Sequence, residues 1–337
     1  MVSTLQAYLN FVSYTLAPNK VTNTDLSNSF TDFSEEKIWK STGIKNRYTI
    51  DPFTRISDFG AECAEAFFEQ YPIKKEEIDF LIFCTECPDY MGPATSCIVQ
   101  HKLNLSTNTG TIDLAFGCSG YTYGLSMAKA LIESGMANNI LFITADIPTQ
   151  VLSKEDAHLH FLFSDGASAS LISSRAEGYR IGDFIFGTDG AGESKLLSKN
   201  SAFYEPKTSE WYKEQINEGL LHGRMQMDGE DVFRFSLREV PRLVNSILTK
   251  NNCQQDDIDL FVFHQASTII LKSLKRKLRI PDERFFCNLA EVGNTVSASI
   301  PIALCDAFSQ GKIKPGMKVL IAGFGIGYSW SGTIIQI

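Results

Sequence analysis

Continuous apolar runs of strand length recur along the chain, separated by segments whose apolar positions follow helical spacing. The runs inside EEIDFLIFCTE, NILFITA, DDIDLFVFHQA and KVLIAGFG do not alternate with polar residues. That is the pattern of strands covered on both faces. Between them Leu125, Ala128, Leu131 and Ile132 fall on one helical face, and IPIALCDAF repeats the arrangement later. Turns such as QGKIKPG separate helix from strand. Alternating strands and helices predict mixed sheets covered by helices, an α/β fold.

The pattern occurs twice. EEIDFLIFCTE, from Glu76, and DDIDLFVFHQA, from Asp256, each place two acids and Ile-Asp before an apolar run, so Cys84 and His264 are equivalent positions. Downstream, Cys118 and Asn294 each precede a small-residue turn, a helical pattern and another apolar run, at nearly the same offset. The spacing predicts a duplicated α/β unit, with one half over residues 1–172 and the other over 173–337. The polar and aromatic segment from Leu196 to Met227 interrupts the second half. It reads either as a surface excursion or as a cap over a pocket.

Composition narrows the class. A length of 337 residues suits one large unit or two fused ones. Hydrophobic residues at 44% and charged residues at 21% are those of a globular protein. No apolar run approaches the ~18 residues of a membrane helix. The N-terminal stretch lacks the features of a signal peptide. A cytoplasmic location, with the eight cysteines reduced, is the expectation. A net charge of −8 argues against general nucleic-acid binding.

Candidate chemistry sits at the junctions. In AFGCSGYTYG, Cys118 lies between a strand-like run and a helix start. There, unpaired N–H groups and the helix dipole would lower its pKa and favour the nucleophilic thiolate. Taken alone, Cys118 reads more readily as a buried core cysteine. His264 in VFHQAS stands where a buried strand ends, and Asn294 in EVGNTVSAS at the turn before a helix. Open α/β sheets bind ligands at such ends. A cysteine with a histidine and an asparagine at matching junctions forms a nucleophile constellation. The glycine-rich AGFGIGYSW follows a strand and exposes N–H groups suited to an oxyanion.

The motifs TGIKNRY, DLAFGCSGYTYGL, LFSDGASAS, MDGEDVFRF, HQAS, GNTVSASIP and GFGIGYSWSG resemble, in order, those of the β-ketoacyl-acyl-carrier-protein synthase III family of the thiolase-like superfamily. The resemblance covers nearly the whole chain. It implies a duplicated αβαβα layered fold, and a decarboxylative Claisen condensation by a homodimer with no metal or organic cofactor. By resemblance, Cys118 carries the acyl group, and the backbone N–H groups of Cys118 and Ile326 hold the thioester oxyanion. His264 and Asn294 stabilise the enolate formed from a malonyl thioester. The implied partners are acyl carrier protein, acyl-CoA or both. An acyltransferase that passes the Cys118-bound acyl group to a hydroxyl, amine or carrier is the alternative. A non-catalytic partner subunit is a third reading. Neither the second catalytic cysteine of thiolases nor the glutamate base of hydroxymethylglutaryl-CoA synthases is evident.

Departures from the family pattern bear on substrate. Where the family grips coenzyme A with a Trp and an Arg, this chain has Lys37 and Ser41, with Trp39 nearby, and a further basic position is Ile269. Delivery on carrier protein gains weight. In DYMGPATSC, resembling a loop that closes the partner's acyl pocket, Gly92 after Met91 stands where relatives have Phe. That predicts a primer larger than acetyl. Lys272, Lys275, Arg276 and Arg279 share a helical face opposite Ile270, Leu271, Leu274 and Leu278. With Arg234 they form a candidate docking patch for an acidic carrier; an ordinary solvated face is the alternative. The Cys84–Cys87 pair has no completing metal ligands. His158 and His160 read as one face of a strand, also without a third ligand. Asp165 and Gly166 read as a structural turn, and Cys305 as core.

Overall fold

Two short 3-10 turns, Lys75–Glu77 and Gln255–Asp257, open equivalent parts of the sheet with the same cap. In each, the last acid accepts from the backbone N–H three residues earlier: Lys74 to Glu77 at 3.0 Å, and Gln254 to Asp257 at 2.7 Å. The aspartate of each Ile-Asp pair then clamps the neighbouring strand. Asp79 Oδ2 accepts from Asn139 N at 3.0 Å, and Asp259 Oδ2 from Lys318 N at 2.8 Å. The repeated acids are therefore start signals for buried strands.

The computed structural model describes residues 5–199 and 224–337, together with Glu210 and Lys213. The strands are β1 (Tyr8–Leu16), β2 (Asn19–Thr22), β3 (Asn46–Thr49), β4 (Phe80–Cys84), β5 (Gly110–Leu114), β6 (Asn139–Asp146) and β7 (Gly166–Ser173), then β8 (Tyr179–Ile181), β9 (Ile185–Thr188), β10 (Leu196–Lys199), β11 (Arg224–Met227), β12 (Leu260–Phe263), β13 (Phe285–Phe286), β14 (Lys318–Gly325) and β15 (Ser329–Gln336). The large sheet runs β13-β12-β14-β15-β8-β1-β7-β6-β4-β5, with β9 beside β15. This order mirrors itself about the β8–β1 junction. On each side two parallel pairings flank the strand that then turns antiparallel. The junction is narrow: Tyr8 pairs with Arg180 and Leu9 with Tyr179.

Ten helices are described: α1 (Asn23–Ser29), α2 (Glu35–Thr42), α3 (Ile56–Gln70), α4 (Thr95–Lys102), α5 (Gly120–Glu133), α6 (Ala157–His160), α7 (Gly229–Lys250), α8 (Thr268–Leu278), α9 (Leu289–Val292) and α10 (Ser299–Ser309). Leu125 and Ile132 of α5 share one core with Ile300 and Leu304 of α10 and with inward residues of β4, β6, β12 and β14. These two helices form the inner layer. α3 and α4 cover the outer face of the first half, and α7 and α8 that of the second. β6 and β7 are buried along their whole length, which their unbroken apolar and small-residue runs require. No described helix is long and apolar enough to cross a membrane.

Two expectations change. His158 and His160 lie on the short helix α6, packed against Phe33 and Phe30, and are not on a strand. Four residues are too few for periodicity to separate the two states. Arg279 lies beyond α8, capping it in the left-handed conformation at φ 54°, so the basic face ends at Arg276. Most of the segment between β10 and β11, read as an excursion or a cap, falls outside the described residues; its ends pair as an antiparallel ladder.

Candidate active site

β5 and β12 deliver their following loops to the same place between the halves. Cys118 precedes Ser119, the N-cap of α5, and His264 follows β12 directly. Asn294 arrives from the turn after α9. It is held by the first half: Asn294 N donates to Leu162 O at 3.0 Å, and Ser164 N to Asn294 O at 2.9 Å. Cys118, His264 and Asn294 are all buried and line one cavity of about 410 Å³. Its remaining wall is largely apolar, including Phe163, Leu196, Met227, Phe233 and Phe324. Ile269, exposed on α8, and Glu230 also line it.

Each side chain has defined partners. His264 Nδ1 lies 2.6 Å from Ser299 Oγ at the start of α10. Burial pushes the imidazole pKa down to about 3, against a smaller upward pull from the Val296 backbone. The ring is therefore neutral at physiological pH. Asn294 Oδ1 accepts from Val296 N at 3.0 Å, and Nδ2 donates to Ala266 O at 3.2 Å. One Nδ2 proton remains for a ligand. Gly325 presses on Cys118 so closely that any Cβ there would overlap the thiol.

The thiol differs from the expectation for a helix start. Burial first, and then the charges of Glu86 and Asp146, push the Cys118 pKa well above its ordinary value. The backbone N–H groups of Ile326 and of Cys118 itself pull it down by less. The helix start thus does not produce a depressed pKa here, because desolvation and two acids outweigh it.

The other candidates are dispersed. Met91 and Gly92 lie exposed on the loop before α4, away from the cavity. Arg234 pairs with Glu230 on α7, and Lys275 pairs with Asp282. Lys272, Arg276 and Arg279 are exposed. Ser267 caps α8, accepting from Ile270 N at 3.3 Å, which accounts for serine in HQAS. Lys37, Trp39 and Ser41 lie on the exposed side of α2. Asp165 accepts from Ile50 N at 2.9 Å and Thr149 N at 3.1 Å, pinning two loops. Cys305 Sγ, on α10, lies 3.3 Å from Val12 O. Glu86, inside the CTEC stretch, is the site neighbour that the sequence motifs do not single out. Its position just past a buried strand, like that of His264, is the signal that could have found it.

The mirrored sheet, with a cavity where strand ends of the two halves meet, is a thiolase-like fold. A family profile described as 3-oxoacyl-[acyl-carrier-protein (ACP)] synthase III matches residues 112–190, and that of its C-terminal part matches 248–337. A β-ketoacyl-[acyl-carrier-protein] synthase III of Caldanaerobacter subterraneus subsp. tengcongensis is 33% identical over 95% of this chain and 94% of that protein. One of Clostridium perfringens is 34% identical over 98% of each. A crystal structure of a 3-oxoacyl-(acyl-carrier-protein) synthase III shares 37% identity at a TM-score of 0.93, covering 98% of this chain and 100% of that one. The chain belongs to the 3-oxoacyl-acyl-carrier-protein synthase III family of acyltransferases.

Buried acids give the fold a pH signature. Burial raises Asp165 to about 7, and raises Glu86 and Asp146 above the carboxylate range. The native state then keeps protons that the unfolded chain releases, so stability rises as pH falls. Below pH 6.5, the ordinary His value, the unfolded chain gains protons that buried His264 refuses, which opposes the trend. Three acids outnumber the opposing histidine, so thermal melting should rise from about pH 8 and keep rising through about pH 6.5 towards the ordinary carboxylate range. A melting temperature that falls across that window would contradict these assignments.

Proposed function

We propose that Cys118 accepts an acyl group from a thioester and that His264 and Asn294 then stabilise the enolate released when a malonyl thioester loses CO₂. The carbanion attacks the acyl-Cys118 carbonyl and yields a 3-oxoacyl thioester. One observation carries this reading: a thiol faced by two backbone N–H groups shares a largely apolar cavity with a neutral imidazole and an amide. The N–H groups of Cys118 and Ile326 suit a thioester oxyanion, and neutral donors suit an enolate oxygen. The mirrored strand order supports a division into halves 1–172 and 173–337, each supplying residues from its strand ends. A reduced compartment such as the cytoplasm suits a free nucleophilic thiol.

The working unit in this proposal is a homodimer. β5 is an unpaired edge of the sheet, and Ile112 on it is 40% exposed. Asp113 on that edge accepts from Thr95 N at 2.6 Å and Ser96 N at 2.7 Å, which anchors the Met91–Gly92 loop beside it. Across an edge-to-edge dimer the loop would reach the partner's acyl pocket, where Gly92 leaves room for a primer larger than acetyl. Carrier protein would dock on the basic surface beside the cavity. Arg234, Arg238, Arg242 and Lys277 line a groove that shares Phe233 with the cavity wall. Lys272 and Arg276 extend it on α8, with Arg279 at its end and Lys275 partly neutralised by Asp282.

Intact-mass measurement with acyl donors from acetyl to long-chain, each on coenzyme A and on carrier protein, tests both points. An adduct of +acyl that disappears on adding malonyl thioester is the expected result, strongest with a group larger than acetyl. Acceptance of acetyl alone would remove the argument from Gly92. In the K275E/R276E variant the Michaelis constant should rise several-fold for carrier-borne donors and stay unchanged for coenzyme A donors. An equal response to both would remove the docking surface.

A further inference from the structure

Directly behind Cys118 lies a carboxylate that the mechanism above does not use. Glu86 follows β4 by two residues, and its partly buried side chain packs on Gly117, the residue before Cys118. A Cβ at Gly117 would overlap the Glu86 carboxylate, so glycine there makes room for it. Among the described residues no hydrogen bond reaches that carboxylate, whereas its backbone N–H donates to Asp146 Oδ1 at 2.8 Å. Asp146, on β6, is by contrast saturated: Thr85 Oγ1, Glu86 N, Ser297 N and Ser297 Oγ all donate to it. Asp146 is a strut tying β4 to the turn after Asn294. Glu86 is left with free lone pairs beside a nucleophile.

The thiol requires a proton acceptor, and the other candidate is ill suited. His264 is held at Nδ1 by Ser299 and stays neutral far below physiological pH, so it is a weak base. The groups facing Glu86 are Asp146 from β6, Cys118 from the loop after β5, and Cys84 and Cys87 from its own segment. Burial and then the Asp146 charge hold Glu86 above the carboxylate range, close to the values useful for proton transfer at neutral pH.

We infer that Glu86 is the proton acceptor for acyl loading: it takes the Cys118 proton, directly or through one water molecule, and returns it to the departing thiolate. The Cys118 S–H bond and the donor C–S bond break. A Cys118 Sγ–acyl bond and an S–H bond on the released coenzyme A or carrier form. No other reactant is required. The inference rests on Cys118 being the acylated residue.

Single-turnover acylation measured by mass spectrometry across pH separates this from a purely electrostatic neighbour, because the two predict opposite signs. Removing a negative charge lowers the thiol pKa, so an electrostatic bystander replaced in E86Q would speed loading. A proton acceptor replaced in E86Q slows it, by roughly 10²- to 10⁴-fold, and removes the inflection in the pH–rate profile. E86D, which keeps a carboxylate, should retain that inflection at a reduced rate. Loading by E86Q as fast as wild type or faster, or an E86D profile without the inflection, overturns the inference. Wild-type protein that loads no donor would instead overturn the role of Cys118.

Discussion

Replacing Cys118 with alanine should abolish the acyl adduct and reduce 3-oxoacyl thioester formation by roughly 10⁴-fold or more, as loss of a covalent nucleophile does. The reason is geometric. Cys118 packs against Gly325, and its thiol is faced by the backbone N–H groups of Ile326 and of Cys118 itself, which is where the proposal puts the reacting thioester. Serine would not substitute, since burial and two nearby acids that raise a thiol would penalise an alkoxide more. Stability should change little, because alanine fills the site without a new polar group. Thermal melting of Cys118→Ala within a few degrees of wild type, with no adduct in intact-mass spectra, is the expected pair of results. A persistent adduct on the variant would place the nucleophile elsewhere.

The second large effect falls on His264 and Asn294 and splits the reaction. His264→Ala and Asn294→Ala should each lower malonyl decarboxylation by about 10²- to 10³-fold, roughly 3–4 kcal/mol of transition-state stabilisation. Acyl loading should survive in both, because the oxyanion donors proposed for that step are backbone groups. Asn294→Asp should be at least as damaging. Its carboxylate would face the Ala266 carbonyl that now accepts from Nδ2, and would repel the enolate. Release of CO₂ from malonyl thioester by pre-acylated enzyme measures the step directly. Since burial holds His264 at about 3, that step should show no histidine inflection between about pH 5.5 and 8. Equal loss of loading and decarboxylation in these variants would show that the two residues do not divide the work in this way.

Much of the protein is legible in the order of its amino acids. The apolar runs of β4, β6, β12 and β14 and the helical faces of α5, α8 and α10 are local patterns, set by which side chains must leave water. Their repetition announces the mirrored sheet, and the strand ends point to Cys118, His264 and Asn294. Asp79 and Asp259 share their place in the repeat because each clamps the next strand.

Electrostatics and neighbourhood are decided by tertiary structure alone. The helix-start argument for a lowered thiol pKa considers only residues adjacent in the chain, whereas desolvation by the whole core, with Glu86 from after β4 and Asp146 from β6, reverses its sign. Glu86 is hidden inside a cysteine pair with metal-like spacing, and only folding sets its carboxylate against Gly117. The left-handed turn at Arg279 and the pairing of Lys275 with Asp282 likewise trim a basic face that helical spacing alone draws larger. The amino-acid sequence determined the strands, the helices and the residues offered to the site, because hydrophobic periodicity is local. The folded chain decided which of those residues are desolvated, neutral or charged together, because burial and Coulomb interactions act through space.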